Sequence, residues 1–112
     1  MQKVGTRFAD TWRMHYHVVA RTFGKFTPFT QPQKAHWVWH RLKAAFPEAL
    51  AATLMPTHLH LVLKSDSPEQ TRTTLAHLLG RFTFVFNEPK PFWQPIPEPE
   101  LIVDSDKLRR NI

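Results

Sequence analysis

Two histidines interrupt the most hydrophobic run of the chain, LMPTHLHLVL at residues 54–63, where they occupy positions 58 and 60. Side chains on a β-strand alternate between its two faces, so His58 and His60 share one face. The opposite face carries the leucines, Leu59, Leu61 and Leu63. This pattern predicts a core side and a side with two adjacent imidazoles. The pair is either a set of partly exposed sheet residues or a site for a divalent metal ion.

A metal site here needs at least one further ligand, and the chain contains no cysteine. That ligand must therefore come from a histidine, an amide or a carboxylate. Imidazole suits zinc, copper or nickel, whereas magnesium prefers oxygen. Two imidazoles combined with an amide or acid and with phosphate oxygens would still accept manganese or magnesium.

Charge and composition point to a small basic domain with a polyanionic partner. The 112 residues carry a net charge of +6 with a sequence pI of about 10.2, and 42% are hydrophobic. Nucleic acid is the commonest partner of such a domain. The length predicts one domain over residues 1–112. No stretch reaches the roughly 20 apolar residues of a membrane span, and no signal peptide is visible. We therefore expect a cytoplasmic protein, which the lack of cysteine also fits.

Periodicity and breakers predict four strands, three helices and a proline-rich arm. Strands are expected at 11–21, 48–55, 54–64 and 101–103. One helix follows a Thr30 N-cap and stops at Pro47, and another opens at a capping box that begins with Ser67. Five prolines make 87–100 an extended arm. A last helix starts at 104 or 105 and ends with the chain after two turns, so we expect it to be truncated.

Apolar residues at helical spacing define the buried stripe of each helix. In the first helix the stripe comprises Ala35, Val38, Trp39, Leu42, Ala45 and Phe46. In the second it comprises Leu75, Leu78, Leu79, Phe82, Val85 and Phe86. Trp37 falls opposite the first stripe, and we expect it to be exposed for a dimer contact or for base stacking.

The order βαββαβ describes an α+β fold, a ferredoxin-like sandwich in which an antiparallel sheet of about four strands has its helices on one face. The first and third strands are central neighbours in that topology. Their open faces would bring His15 and His17 of the first strand close to His58 and His60 of the third.

Four segments in order along the chain carry a resemblance to a known family. MPTHLHLV resembles the HUH motif (His, hydrophobic, His) of single-tyrosine HUH transposases, especially the REP-associated tyrosine transposases. YHVVART (16–22), RFTFVFN (81–87) with FWQ (92–94), and DSDKLRRNI (104–112) are similar to further family segments. The resemblance covers residues 12–112. It implies a ferredoxin-like domain that binds hairpin or single-stranded DNA and nicks single strands.

The resemblance also implies roles for particular residues. His58 and His60 would hold a divalent metal, magnesium or manganese, that polarises the scissile phosphate. Asn87 would be a third, amide ligand, although Asn is equally suited to a helix C-cap. A tyrosine would attack phosphorus and form a 5′-phosphotyrosine. The resemblance places that tyrosine at or next to position 82, where the chain has Phe82.

The missing hydroxyl leaves two functions open. The chain is either a transposase-like domain that binds DNA and metal, or a non-catalytic DNA-binding regulator derived from such an enzyme. Its single tyrosine, Tyr16, is expected to be a strand aromatic. The resemblance further implies a possible homodimer.

Basic and aromatic side chains supply candidates for DNA contacts. The phosphate candidates are Arg21, Lys25, Arg41, Lys43, Lys64, Arg72 and Arg81. Trp93, beside Lys90 in the proline arm, is a candidate for base stacking, and packing of the arm against the domain is the alternative.

Overall fold

The structure, a computed structural model, describes residues 14–102. Its strands are β1 (Met14–Arg21), β2 (Ala51–Met55), β3 (His58–Ser65) and β4 (Glu100–Ile102). Its helices are α1 (Pro32–Ala45) and α2 (Pro68–Val85), and a 3-10 turn at Pro28–Thr30 precedes α1. Residues 11–13 of the first predicted strand, residue 103 and the predicted last helix lie outside the described residues.

The four strands form one antiparallel sheet in the order β2-β3-β1-β4. β1 and β3 pair over their full length, from Met14 opposite Ser65 to Arg21 opposite His58. The predicted α+β, ferredoxin-like fold is confirmed, including the adjacency of the first and third strands. Among residues 14–102, neither helix is long and apolar enough to cross a membrane.

Both helices cover the same face of the sheet, and the core lies between them and the strands. Leu59, Leu61 and Leu63 of β3 belong to this core together with Val18 and Ala20 of β1. The helices contribute Val38, Leu42, Leu75, Leu78, Leu79 and Phe82, and the proline arm contributes Phe92 and Ile96. The leucine side of β3 is therefore the helix side, and the histidines lie on the opposite side of the sheet, which neither α1 nor α2 covers and which we call the open face.

Helix starts differ from the sequence prediction in two details. Thr30 does not cap α1, because its hydroxyl donates to the Thr27 carbonyl and the N-cap residue is Gln31. Ser67 is the N-cap of α2, as predicted, but no side-chain capping bond forms. The Ser67 backbone N–H instead donates to the Ser65 hydroxyl. Local turn contacts have replaced the expected capping geometry at both helices.

The predicted buried stripes are wrong for three residues, Trp37, Trp39 and Val85. Trp37 is half-buried, with its ring centroid 6.0 Å from those of both Phe82 and Phe86. Trp39, expected in the core, is 40% exposed, and Val85 is 46% exposed. α1 is thus rotated so that Trp37 faces α2, because the packing of Trp37 against two phenylalanines outweighs the ideal stripe.

The proline arm packs against the domain along the edge of β1. Phe92 and Ile96 are buried, and Trp93 forms a bridge with Thr22. The Gln94 backbone N–H donates to the Arg21 carbonyl, and its side-chain amide donates to the Thr22 carbonyl. Arg72 of α2 donates from Nε to the Ile96 carbonyl at 2.8 Å. The arm therefore extends the edge of the sheet and closes one end of the core.

Phe82 is fully buried, and we predict that it is a determinant of stability. Its ring lies within about 6 Å of five other aromatic rings, those of Phe29, Trp37, Phe86, Phe92 and Trp93. Phe82→Ala should lower the free energy of unfolding by about 3–5 kcal/mol, measured by urea denaturation. Phe82→Tyr should cost about 1–3 kcal/mol, because it buries a hydroxyl in an apolar cluster.

The matched control is Phe84→Ala on the same helix, where the side chain is 81% exposed. This change should alter the free energy of unfolding by no more than about 0.5 kcal/mol. Equal effects at positions 82 and 84 would contradict the assignment of Phe82 to the core.

Candidate metal and nucleic-acid site

The open face of the sheet carries four histidines from its two central strands, and three of them lie in contact. His58 and His60 lie on β3, and their ring centroids are 4.8 Å apart. His17 of β1 lies against His60, with ring centroids 5.0 Å apart. All three side chains are half-buried. The predicted approach of His17 to the β3 pair is confirmed, whereas His15 pairs with Lys64, further along the sheet.

A hydrogen bond of 2.8 Å joins His17 Nε2 to His60 Nδ1. One of these two nitrogens must donate and the other accept. When His60 donates from Nδ1, its Nε2 keeps a lone pair that can bind a metal. Metal-binding histidines commonly use their second ring nitrogen in this way, which fixes the tautomer and the ring orientation. His17 is thus placed to orient His60.

His58 follows the turn between β2 and β3, and that turn is fastened to β1. Thr57 Oγ1 lies 3.2 Å from His58 Nδ1, which leaves Nε2 of His58 outside this contact. The carbonyl of Thr57 accepts a hydrogen bond from the backbone N–H of Thr22, whose hydroxyl donates to the Phe26 carbonyl at 2.8 Å and lies 3.1 Å from the Thr57 carbonyl. Because Thr22 is buried, the turn preceding His58 is held on the end of β1.

The electrostatic environment favours neutral imidazoles in the β3 pair. Burial lowers the pKa of His58 below its ordinary value, with a further contribution from the Arg21 guanidinium. Burial also lowers the pKa of His60, followed by the effects of His17, His58 and Arg21. Neutral imidazole is the form that binds metal ions. The lowered pKa values of both rings therefore favour the neutral form that a metal requires.

The donor set fits a metal ion only in part. Both β3 histidines have Nδ1 in a hydrogen-bonding contact, and both are favoured in the neutral form. Within residues 14–102, however, no group of three or more His, Asp or Glu side chains is arranged around a common metal position. The two imidazoles would supply two ligands, and amide, water or phosphate oxygens would have to complete the shell.

Asn87 and Phe82 lie in the helix layer, on the other side of the sheet from the histidines. Asn87 follows the C-cap residue of α2 with φ of 49°, and its N–H donates to the Phe84 carbonyl. This is the helix-ending role that asparagine favours. Its role as a metal ligand stays a prediction. Phe82 is enclosed by the core, so a hydroxyl at position 82 would not face the histidines.

The predicted phosphate contacts separate into those on the histidine face and those elsewhere. Arg21 is exposed and lies opposite His58, and strand alternation puts Lys64 on the same face. Arg72 is bonded to the arm, and the Arg41 guanidinium lies 4.9 Å from the Trp37 ring centroid. The other candidates are on loops or helices, namely Lys25, Lys43 and Arg81. The histidine pair of β3 therefore has Arg21 beside it, whereas Lys64 shares the face but lies at the other end of β3, opposite His15.

The two tryptophans predicted to stack on bases have packing roles. Trp93 is half-buried against Phe29, Phe82 and Phe92. Its indole N–H is buried and has no hydrogen-bond partner among residues 14–102. The ring of Trp37, a residue of α1, packs against the rings of Phe82 and Phe86. Packing of the arm, the alternative weighed for Trp93, is what the structure shows.

A second histidine pair, His36 and His40 on α1, was not among the sequence predictions. The two Nε2 atoms lie 2.9 Å apart on an exposed helix surface. Their spacing of four residues was the available signal, since residues four apart share a helix face.

Comparisons with known proteins support the fold. No protein-family model matches the chain, and no curated protein sequence matches it. A solved structure of a REP-associated tyrosine transposase bound to a REP hairpin is similar, with a TM-score of 0.69 and 14% identity. The match covers 87% of this chain, which spans 61% of the length of the transposase chain. At this identity the likeness shows the fold alone.

The lowered pKa values of His58 and His60 predict a dependence of stability on pH. In the unfolded chain both imidazoles would titrate near 6.5, whereas in the native state they titrate lower. The unfolded state therefore binds more protons in this window, and acidification from pH 7.5 to 5 should lower the free energy of unfolding. Urea titrations in EDTA measure the slope.

His58→Gln/His60→Gln should show a shallower decline over the same range, because glutamine does not titrate. Phe84→Ala, an exposed position on α2 without a titratable group, is the control and should keep the wild-type slope. Identical slopes for the wild type and the double variant would contradict the lowered pKa values of His58 and His60.

Proposed function

We propose that the chain is a transposase-like DNA-binding domain of the HUH class that binds hairpin or single-stranded DNA on the open face of its sheet. The observation that carries this proposal is the combination of Arg21, His58 and His60 on the sheet face opposite α1 and α2. A transposase that shares the fold was solved with a DNA hairpin. The net charge of +6 supports a polyanionic partner.

In this proposal His58 and His60 hold a divalent ion, manganese or magnesium. Such an ion would supply Lewis-acid polarisation of a phosphate group when bound. His17 orients His60 through the 2.8 Å hydrogen bond, and Thr57 contacts His58. Arg21 presents a permanent positive charge beside the pair, suited to a phosphate oxygen. A single domain over residues 1–112, a cytoplasmic location and a homodimer stay predictions.

The position of the tyrosine favours a second candidate, a DNA-binding regulator that does not cleave. The 112 residues contain one tyrosine, Tyr16, which shares the helix side of β1 with Val18 and Ala20. Its hydroxyl is thus on a strand face opposite the histidines. Incubation with a labelled hairpin and manganese distinguishes the two candidates: a covalent protein–DNA adduct supports cleavage, and binding without an adduct supports the regulator.

We predict that DNA binding depends on Arg21 and on salt. The logarithm of the association constant for a hairpin should fall linearly with the logarithm of salt concentration. Arg21→Gln should weaken binding and reduce the magnitude of that slope by about 0.7–0.9, the value expected for one lost phosphate contact. Fluorescence anisotropy over a salt series measures both quantities.

Arg81→Gln is the matched control: Arg81 is a predicted phosphate contact, but it is exposed on α2 in the helix layer, where this proposal expects no DNA. It should leave the slope unchanged. A larger loss of hairpin affinity in Arg81→Gln than in Arg21→Gln would place the DNA interface on the helices and contradict the proposal.

We also predict that His17 is a positioning residue for the metal pair. His17→Phe keeps a ring at this position but removes the hydrogen bond to His60. The affinity for manganese should fall by about 10-fold or more, as for other residues that orient metal-binding histidines. Paramagnetic broadening of the His58 and His60 imidazole signals in a manganese titration reports on this site directly.

His77→Phe on α2 should leave the titration unchanged. Equal manganese affinity in the His17→Phe and wild-type proteins would contradict the positioning role of His17. Absence of broadening in both proteins would contradict the metal site itself.

A further inference from the structure

His36 and His40 lie one turn apart on α1, in the helix layer and away from the open sheet face. Both side chains are exposed, their ring centroids are 4.3 Å apart, and their Nε2 atoms are separated by 2.9 Å. The core residues Val38 and Leu42 bury the other side of the helix. Two imidazole nitrogens therefore converge on one solvent-facing point of a helix whose backbone is fixed by packing.

The separation of these nitrogens matches what a transition-metal ion needs. With metal–nitrogen bonds of about 2.0–2.1 Å, two ligands at a right angle are about 2.9 Å apart. In the metal-free protein one nitrogen must donate a proton to the other across this gap. A cation that replaces the shared proton can use both lone pairs with little movement of either ring. Two histidines four residues apart on one helix face supply two of the zinc ligands in the H-E-x-x-H motif.

We propose that His36 and His40 form a second, exposed binding site for a borderline transition-metal ion, namely nickel, copper or zinc. Imidazole nitrogens suit these ions, whereas magnesium prefers oxygen ligands. Gln33 lies one turn before His36 on the same exposed surface, and its amide oxygen is a candidate third ligand. Water would occupy the remaining positions.

The surroundings make the pair a defined site on the surface. A shallow depression is lined by Pro32, Gln33, His36, Trp37, His40 and Arg41. Trp37 forms its floor, because the ring packs against Phe82 and Phe86 of the core. The Arg41 guanidinium lies over the ring of Trp37, 4.9 Å from its centroid. A positive charge beside the site disfavours a cation, so we expect moderate affinity.

The two histidine pairs lie on different elements, α1 and β3, so the helix site can be tested separately. His58→Gln/His60→Gln removes the strand pair and leaves α1 intact. In this background and without an affinity tag, calorimetric titration with nickel should show one binding equivalent. Adding His36→Gln or His40→Gln should weaken that equivalent at least 10-fold, since one of two imidazole ligands is lost. Both residues are exposed and glutamine is a good helix former, so the variants should fold.

Thermal denaturation provides a second readout, because an ion that binds only the folded helix raises the melting temperature. Nickel should raise it in the strand-pair variant and not after His40→Gln is added. His77→Gln, on the exposed surface of α2, should leave nickel binding unchanged. Undiminished nickel affinity in the variants lacking His36 or His40 would overturn the proposal, as would displacement of nickel by millimolar magnesium.

Discussion

The two-sided character of β3 is the constraint on which the rest of the structure depends. Leu59 and Leu61 are fully buried under the helices, so strand alternation forces His58 and His60 to the open face. A shift of one residue in register would exchange the two sets and bury the imidazoles in an apolar core. Hydrophobic burial therefore fixes the histidine face before any ligand is present. Pairing with β1 then adds His17 and Arg21 beside the histidines.

The strand pattern could be predicted from the sequence, because alternation depends only on local spacing and on the burial of leucine. The approach of His17 to His60 followed from the βαββαβ order, which places β1 beside β3. The buried side of each helix was harder to predict. Trp37 and Trp39 are both compatible with a helical stripe, and only the contact of Trp37 with Phe82 and Phe86, some 45 residues away in the chain, decides which faces inward.

Phe82 shows how one residue supports two interpretations until the packing is known. Its place in the resemblance suggested a lost nucleophile, whereas its ring contacts make it the centre of an aromatic cluster. A catalytic hydroxyl must face its phosphate, and this position faces the core. The proline arm was predicted to be extended, but its contacts with Thr22 and Arg72 needed the tertiary structure. For the same reason the sequence could not decide between stacking and packing for Trp93.

The central claim, that DNA binds the open sheet face, is tested most directly by nuclear magnetic resonance of the histidine side chains. On addition of a DNA hairpin, the imidazole signals of His58 and His60 should shift, together with the guanidinium signal of Arg21. The signal of His77, on the exposed side of α2, should not move. Shifts confined to His77 and other helix residues, with His58 and His60 unchanged, would contradict the account.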